Sequence, residues 1–484
     1  MTPETKNIAP PTRIALVMAS VRARIAARTL APGARLPSVR AAADTLGVSV
    51  STVVEAYERL AAEGLISARR GAGFFVCGPT PPLALAAMGP KPDRDVDPLW
   101  ISREALDAQP GALKPGCGWL PASWMYEAGL RQGLRSLARA QTSALCEYAT
   151  ALGSPPLRAL LSRRLAATGI EAAPDHILLT HSGTQAIDLI CRLLLVPGDT
   201  VLLDDPCYFN FRALLTAHRV QVVSVPYTPT GPDVAAFARV LKTHKPRLYI
   251  TNSAIHNPTG AVLSAVTAHR LLTCAESSDL VIVEDDIFAD FETVPAPRLA
   301  AFDGLSRVIS TGSFSKSLSA SARCGYIAAR PDWIDSLTDL QIATSFGGAR
   351  MDAELVLTAL TGGGYRRHME SVRQRLAAAM ARTLTRLARL DIQPWTQPRE
   401  GMFVWCRLPQ GVEAADLARA CLGQGVVLAP GNAFSPARDA GAFMRFNVAQ
   451  CMQDDIFDVL ARGLDAAARA QNRPATGHRL SIVS

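Results

Sequence analysis

The 484-residue sequence has no run of eighteen apolar residues, which excludes a transmembrane helix. It has no Cys-x-x-Cys pair and no histidine cluster, although ten cysteines and eight histidines are present. A structural zinc centre is therefore not expected. The thiols, scattered from Cys77 to Cys451, read as buried or idle groups in a reducing compartment. The stretch Met1 to Pro11 carries no apolar signal core, so a cytoplasmic location is expected. No internal repeat or low-complexity array is visible. Charged residues make up only 19% of the chain against 49% hydrophobic, which excludes wholesale disorder and allows large buried cores. The length points to two or three domains.

What is present is uneven. Residues 1–78 hold ten lysines and arginines against five acids, so this first sixth carries most of the net charge of +8. A small basic segment ahead of a near-neutral body suggests a polyanion-binding module joined to something else. Ile14, Val17, Val21 and Ile25 recur at helical spacing. After Ala31-Pro32-Gly33, Ser38 is placed to cap a short helix that runs to Leu46 and closes at Gly47. Ser49 can cap a third helix with Val53, Ala56, Tyr57 and Leu60 on one face, ended by Gly64. Two short strands, Leu65 to Ala68 and Phe74 to Val76, flank Arg69-Arg70-Gly71-Ala72-Gly73. Three helices followed by a basic hairpin give the winged helix-turn-helix order. The polar first turn of the third helix can reach base edges in the major groove, and the wing can carry arginines to the DNA backbone or minor groove.

The segment Arg35-Leu-Pro-Ser-Val-Arg40, with Gly47-Val-Ser, Ser51-Thr-Val, Ala56-Tyr57, Glu63-Gly-Leu and Arg70-Gly-Ala-Gly73, resembles the GntR-type DNA-binding domain over residues 12–77. The resemblance implies DNA contacts from Arg35, Ser38, Arg40, Ser49, Ser51, Thr52, Arg70 and Gly71. Val50 stands where that family usually has arginine, so methyl contact or burial is expected there instead of direct reading of guanine.

Between Cys77 and Pro98 lie Pro79, Pro81, Pro82, Pro90, Pro92 and Pro98, which reads as a semi-extended tether over residues 79–98. Leu83 to Met88 could form one helical turn within it. From Trp100 on, strand-like runs alternate with helical stretches. The runs are His176–Thr180, Thr200–Leu203, Val220–Val225, Arg247–Asn252, Leu280–Glu284 and Val308–Thr311. Thr184–Leu195 and Pro206–Ala217 are helical patterns between them. This argues for an α/β fold with a mostly parallel sheet and its site at the strand ends. A loose tail is expected after Asn472.

Polar residues follow those strands in order: Ser182-Gly183-Thr184, Tyr208, Asn257-Pro-Thr-Gly260, Asp285 and Ser313-Phe-Ser-Lys316, with Arg323 seven residues later. Free amides at a helix start attract phosphate. Lys316 can form an imine with an aldehyde. A carboxylate can keep a pyridine nitrogen protonated, an asparagine can donate to a ring oxygen, and a tyrosine can stack on the ring. Together these suit pyridoxal 5′-phosphate. Singly, each also fits an ordinary turn, cap or core residue.

Those residues resemble the fold-type I aminotransferases over about residues 98–465. The resemblance implies a seven-stranded, mostly parallel sheet with a smaller α+β part. The larger part would span about 146–335, and the smaller about 99–145 and 336–470. It implies phosphate contacts from Gly183, Thr184, Ser313 and Arg323, ring contacts from Tyr208, Asn257 and Asp285, and Lys316 as the cofactor lysine. Tyr148, with Gly153, would reach a neighbouring subunit's phosphate, which implies a homodimer. Arg445 would hold a substrate carboxylate. Phe288 stands where the family has a tyrosine on the ring oxygen, and loss of that hydroxyl is expected to weaken transamination.

A GntR-type reader tethered to an aminotransferase-like domain is similar to the MocR-type transcriptional regulators. That implies an operator-binding regulator responsive to an amino compound. A working aminotransferase with a DNA-binding appendage, and a sensor of the cofactor itself, remain open.

Overall fold

The computed structural model describes residues 12–27, 29–31, 33–69, 71–77, 98–109 and 111–471. The tail after Asn472 lies outside them, as does the tether with its Leu83–Met88 turn, except for Pro98, which opens a helix. The chain divides into two units, within residues 1–93 and 94–484.

In the first unit, α1 (Arg13–Ala26), α2 (Val39–Leu46) and α3 (Val50–Ala62) precede the antiparallel hairpin β1 (Ile66–Arg69) and β2 (Gly73–Val76). The expected caps are in place. Ser38 Oγ accepts from Ala41 N and Ser49 Oγ from Thr52 N, both at 3.2 Å. Gly47 closes α2 with φ +63°, a left-handed conformation that a side chain would strain. Val17, Val21, Leu36, Val53, Tyr57, Leu60 and Ile66 form the core, and the Phe74 ring meets Tyr57 edge-on. Arg22 pairs with Glu63 at 2.6 Å, tying α1 to the end of α3. Strand register Ile66↔Val76 through Arg69↔Gly73 leaves Gly71, at φ +74°, in the turn of the wing.

In the second unit, α4 (Pro98–Leu106), α5 (Glu127–Leu137), α6 (Thr142–Cys146) and α7 (Pro155–Ala166) lead to the sheet. Its strands and helices follow as β3 (Ile177–Thr180), α8 (Gly183–Leu194), β4 (Thr200–Asp205), α9 (Phe209–Ala217), β5 (Gln221–Thr228), the short β6 (Gly231–Pro232), α10 (Val234–His244), β7 (Leu248–Thr251), α11 (Ala265–Glu276), β8 (Val281–Asp285), α12 (Leu299–Asp303), β9 (Val308–Ser313) and β10 (Gly325–Ala328). Strand order is β3-β10-β9-β8-β7-β4-β5-β6. The pairs among β4, β5, β7, β8 and β9 are parallel, and β10 runs antiparallel between β3 and β9. Seven strands therefore form the expected mixed sheet, with β6 a two-residue hairpin arm on its edge.

Helices cover both faces. Leu178, Ile190, Phe211, Ile250, Val283 and Ile334 pack on one side, and Leu161, Leu202, Phe237, Leu271 and Ile282 on the other. Strands buried on both faces read as continuous apolar runs without alternation. The chain then continues through α13 (Pro331–Ser345), α14 (Arg350–Thr361) and the long α15 (Tyr365–Ala388). A second sheet of order β11-β12-β14-β13 follows, built from β11 (Gln393–Pro394), β12 (Phe403–Arg407), β13 (Ala429–Pro430) and β14 (Phe443–Asn447). It packs with α16 (Ala414–Leu422) and α17 (Asp455–Gln471).

Candidate functional site

The C-terminal ends of β3, β4, β7, β8 and β9 lie on one edge of the large sheet, where open α/β sheets take their ligands. A cavity of about 280 Å³ opens there, and Gly183, Thr184, Tyr208, Asn257, Asp285, Phe288, Lys316 and Arg323 line it. Residues spread over 140 positions of chain are gathered because each follows a strand of one sheet. The backbone delivers Tyr208 from a loop, since Cys207 N donates to Phe434 O at 2.8 Å and α9 begins only at Phe209.

Asp285 ends β8, is buried, and its Oδ1 has no hydrogen-bond partner. Burial pushes its carboxyl up to about 7, against hydrogen bonding from Asn252 and with Asp286 adding to the rise. An unpartnered buried carboxylate oxygen facing a cavity is completed by a cationic N–H, and a pyridinium nitrogen supplies one. Lys316 follows β9. Burial, joined by the nearby Arg445 and Arg323 charges and opposed by Cys117 and Asp285, brings its ammonium down to about 8, so a neutral amine is accessible near neutrality.

At the other end of the cavity, α8 begins with Gly183. Ser182 Oγ accepts from Gln185 N at 3.0 Å, which leaves the Gly183 and Thr184 amides at the helix start without intrahelical partners. Arg323 is exposed to the cavity and forms no ion pair among the described residues. Ser313 is buried, with its Oγ 2.9 Å from Ser315 Oγ, and of these two serines it is Ser315 that lines the cavity. The donor set of two amides, a hydroxyl and a guanidinium fits a phosphate.

Arg445, on β14, is fully buried. Its Nη1 donates to Asn257 Oδ1 at 2.9 Å and its Nη2 to Gly116 O at 2.7 Å, while Nε has no partner. The Phe403 and Phe434 rings stand 4.3 and 4.7 Å from its guanidinium carbon. No carboxylate pairs with it among the described residues, and burial brings its ionisation down to about 10. A buried cation of this kind favours an incoming anion. A Cβ built on Gly118 would stand 3.8 Å from Lys316 Nζ and 3.9 Å from Arg445 Nη2, so the 116–119 backbone passes beside both groups.

Two expected residues stand elsewhere. Tyr148 is 75% exposed and its ring touches that of Phe346 at 4.8 Å, away from this chain's cavity. Gly153 packs on Leu179, where a Cβ would come within 2.6 Å, so it serves packing below β3. Phe288 brings no hydroxyl to the wall, and its ring meets Phe403 edge-on.

Sequence reasoning missed Asn252, whose Nδ2 donates to Asp285 O at 3.0 Å, though its place at the end of β7 obeys the same strand-end rule. It also missed Asp290. That carboxylate accepts from Ser317 Oγ at 2.8 Å, from Tyr365 OH at 2.7 Å and from Arg164, so the residue after Lys316 is bound to α15 and α7. No local signal marks a residue whose partners lie on three other elements.

In the first unit, Ser49 Oγ lies 2.9 Å from Ser51 Oγ and 2.8 Å from Thr52 Oγ1, so the three hydroxyls cluster at the start of α3. Val50 and Val54 are exposed on that helix, so the burial expected as one alternative for Val50 does not occur. Arg35 lies in a β-bridge to Phe75, and its guanidinium passes Gly73 of the wing. Arg40 is exposed on α2. Arg70 lies outside the described residues. Arg40→Ala is expected to weaken DNA binding across sequences and reduce the slope of log affinity against log salt by about one. An unchanged salt slope in a mobility-shift titration would remove Arg40 from the contact set.

Residues 126–462 match the family described as aminotransferase class I and II. Residues 14–76 match the bacterial regulatory proteins of the gntR family. Over 440 residues the chain is 27% identical to the uncharacterized HTH-type transcriptional regulator YdfD of Bacillus subtilis, covering 88% of this chain and 90% of that protein. It is 28% identical over 424 residues to the probable rhizopine catabolism regulatory protein MocR of Rhizobium meliloti, covering 85% and 84%. The α-aminoadipate aminotransferase LysN of Thermus thermophilus, solved with N-(5′-phosphopyridoxyl)-L-leucine, superposes with a TM-score of 0.69 at 27% identity, covering 76% of this chain and 95% of that one.

Proposed function

The chain belongs to the class I and II aminotransferase family and carries a gntR-family domain in front, the architecture of the MocR-type regulators, and we propose that it is a DNA-binding transcriptional regulator that holds pyridoxal 5′-phosphate on Lys316 and answers an amino compound. The observation that carries this reading is the pair of unpartnered buried atoms, Asp285 Oδ1 on the cavity wall with Lys316 and Arg445 Nε behind it, where Arg445 is bonded to the wall residue Asn257. One awaits a protonated ring nitrogen and the other a carboxylate.

When bound, the cofactor supplies an aldehyde that captures amines and a ring that withdraws electrons. The chain's residues do the rest. Gly183, Thr184, Ser315 and Arg323 would take the phosphate, and Tyr208 would cover a ring face. Asn257, already bonded to Arg445, would keep its amide free to donate to the ring oxygen. Displacement of Lys316 by an incoming amine would free its side chain, and Ser317 links that segment through Asp290 to α15. DNA affinity then shifts only as far as the ligand prefers one arrangement of the protein over another.

A homodimer in the cytoplasm completes the proposal. Tyr148 and Phe346 form an exposed aromatic pair, and Leu134 and Met351 stand exposed on α5 and α14, which pack together. Such exposed apolar side chains fit a second copy of the chain, and they include the tyrosine expected to reach the neighbour's phosphate. No helix among the described residues is long and apolar enough to cross a membrane.

The test is Arg445→Ala. It is expected to keep the bound cofactor and lose the amine-dependent change in operator affinity. A full response would place the effector elsewhere or deny it a carboxylate. The second reading, a working aminotransferase, is favoured by the retention of Lys316, Asp285 and Arg445 in one site. Sustained conversion of an amino acid with 2-oxoglutarate would support it. Spectral change on adding an amine, without turnover, would support the sensor.

A further inference from the structure

We propose that the amino compound has a single carboxylate and an uncharged, largely apolar side chain, and that Trp119 and Leu106 select it. This rests on the reading of the site given above.

The argument begins from what remains of the cavity wall once the phosphate, ring and lysine positions are assigned. Trp119, Leu106, Ile287, Phe288 and Ala320 are apolar, and Asn210 is polar but uncharged. Among the described residues of the wall the cations are Lys316 and Arg323, both already assigned, and Arg445 stands behind with Asn257. The segment that passes beside Lys316 and Arg445 at Gly118 continues directly into Trp119. Any group extending from an amine at Lys316 and a carboxylate at Arg445 therefore has an indole as its next wall. Leu106, at the end of α4, lines the same cavity while 72% exposed. It offers apolar surface that a ligand's side chain would cover.

A second carboxylate or a sulfonate on the ligand would lose water against these side chains without gaining a cation, and an unpaired buried charge is strongly disfavoured.

The experiment uses the full-length, cofactor-loaded protein. L-leucine and L-phenylalanine are titrated against L-aspartate and L-glutamate, with the absorbance change and thermal shift as readouts. The neutral pair is expected to bind on the order of 100-fold more tightly. Trp119→Ala should weaken the neutral pair and leave cofactor loading unchanged. Leu106→Arg should move the preference toward the acidic pair. Acidic amino acids binding as tightly as neutral ones would overturn the proposal, as would a preference untouched by both substitutions. If the loaded protein responds to neither class, the amine-responsive reading itself fails, and this inference with it.

Discussion

Lys316→Ala is expected to give a protein that stays colourless after soaking in pyridoxal 5′-phosphate and gel filtration, where the unsubstituted chain turns yellow and remains so. Among the described residues, Lys316 is the one lysine on the cavity wall, and its removal deletes the only amine there that can attack an aldehyde. The rest of the wall, including Asp285 and Arg323, is untouched, so loss of colour cannot be ascribed to a lost pocket. The unsubstituted chain should also take up colour in a pH-dependent way. Only the neutral amine has the lone pair needed for attack. With burial lowering the Lys316 ammonium to about 8, the rate of cofactor capture should climb as pH rises through that value and fall below it. A yellow variant, or a capture rate flat across this range, would mean that another group holds the aldehyde.

Arg298→Ala is expected to destabilise the second unit by about 3–5 kcal/mol, the usual result of removing one partner from a buried ion pair. Arg298 is buried at the start of α12. It donates to both oxygens of Asp286, at 3.1 and 3.2 Å, and to both of Glu292. Without it two carboxylates are left in the interior with no cation, directly behind the residue proposed to face the cofactor ring. Burial has already pushed Glu292 up to about 7 with the arginine present. The loss should therefore be greatest above neutrality and shrink as acid protonates the stranded carboxyls. Denaturant midpoints at two pH values would measure it. A change of less than about 1 kcal/mol at the higher pH would show that water reaches the triad and screens it.

The series Glu284-Asp285-Asp286 shows where sequence reasoning reaches its limit. Three acids in a row end one strand, and the side chains of a strand alternate between faces. Glu284 turns away from the cavity, accepts from Leu299 N at 2.7 Å and Ala300 N at 2.9 Å, and so holds the start of α12. Asp286 meets Arg298. Asp285 alone of the three lines the cavity. Alternation says that neighbours differ in face, but it does not say which face carries the cavity. That depends on the order in which strands are laid side by side.

The same division holds across the chain. Local chemistry was enough for the caps at Ser38 and Ser49, the closing turn at Gly47 and the apolar face of α3, since each involves atoms within a few residues of one another. It was also enough for six of the sheet's strands, because buried parallel strands are continuous apolar runs, and so for the row of polar residues that follows them. Packing alone decided the rest. The four-residue strand Gly325–Ala328 has no pattern of its own and exists because β3 and β9 flank it. Of the two neighbouring hydroxyls that bond to each other, Ser315 lines the cavity and Ser313 is buried beside Gly183. The Asp290 junction draws on Arg164, Ser317 and Tyr365, up to 126 positions away. Periodicity and capping are short-range properties that a sequence displays directly. Which distant groups share one low-dielectric space is settled only when the sheet closes over them.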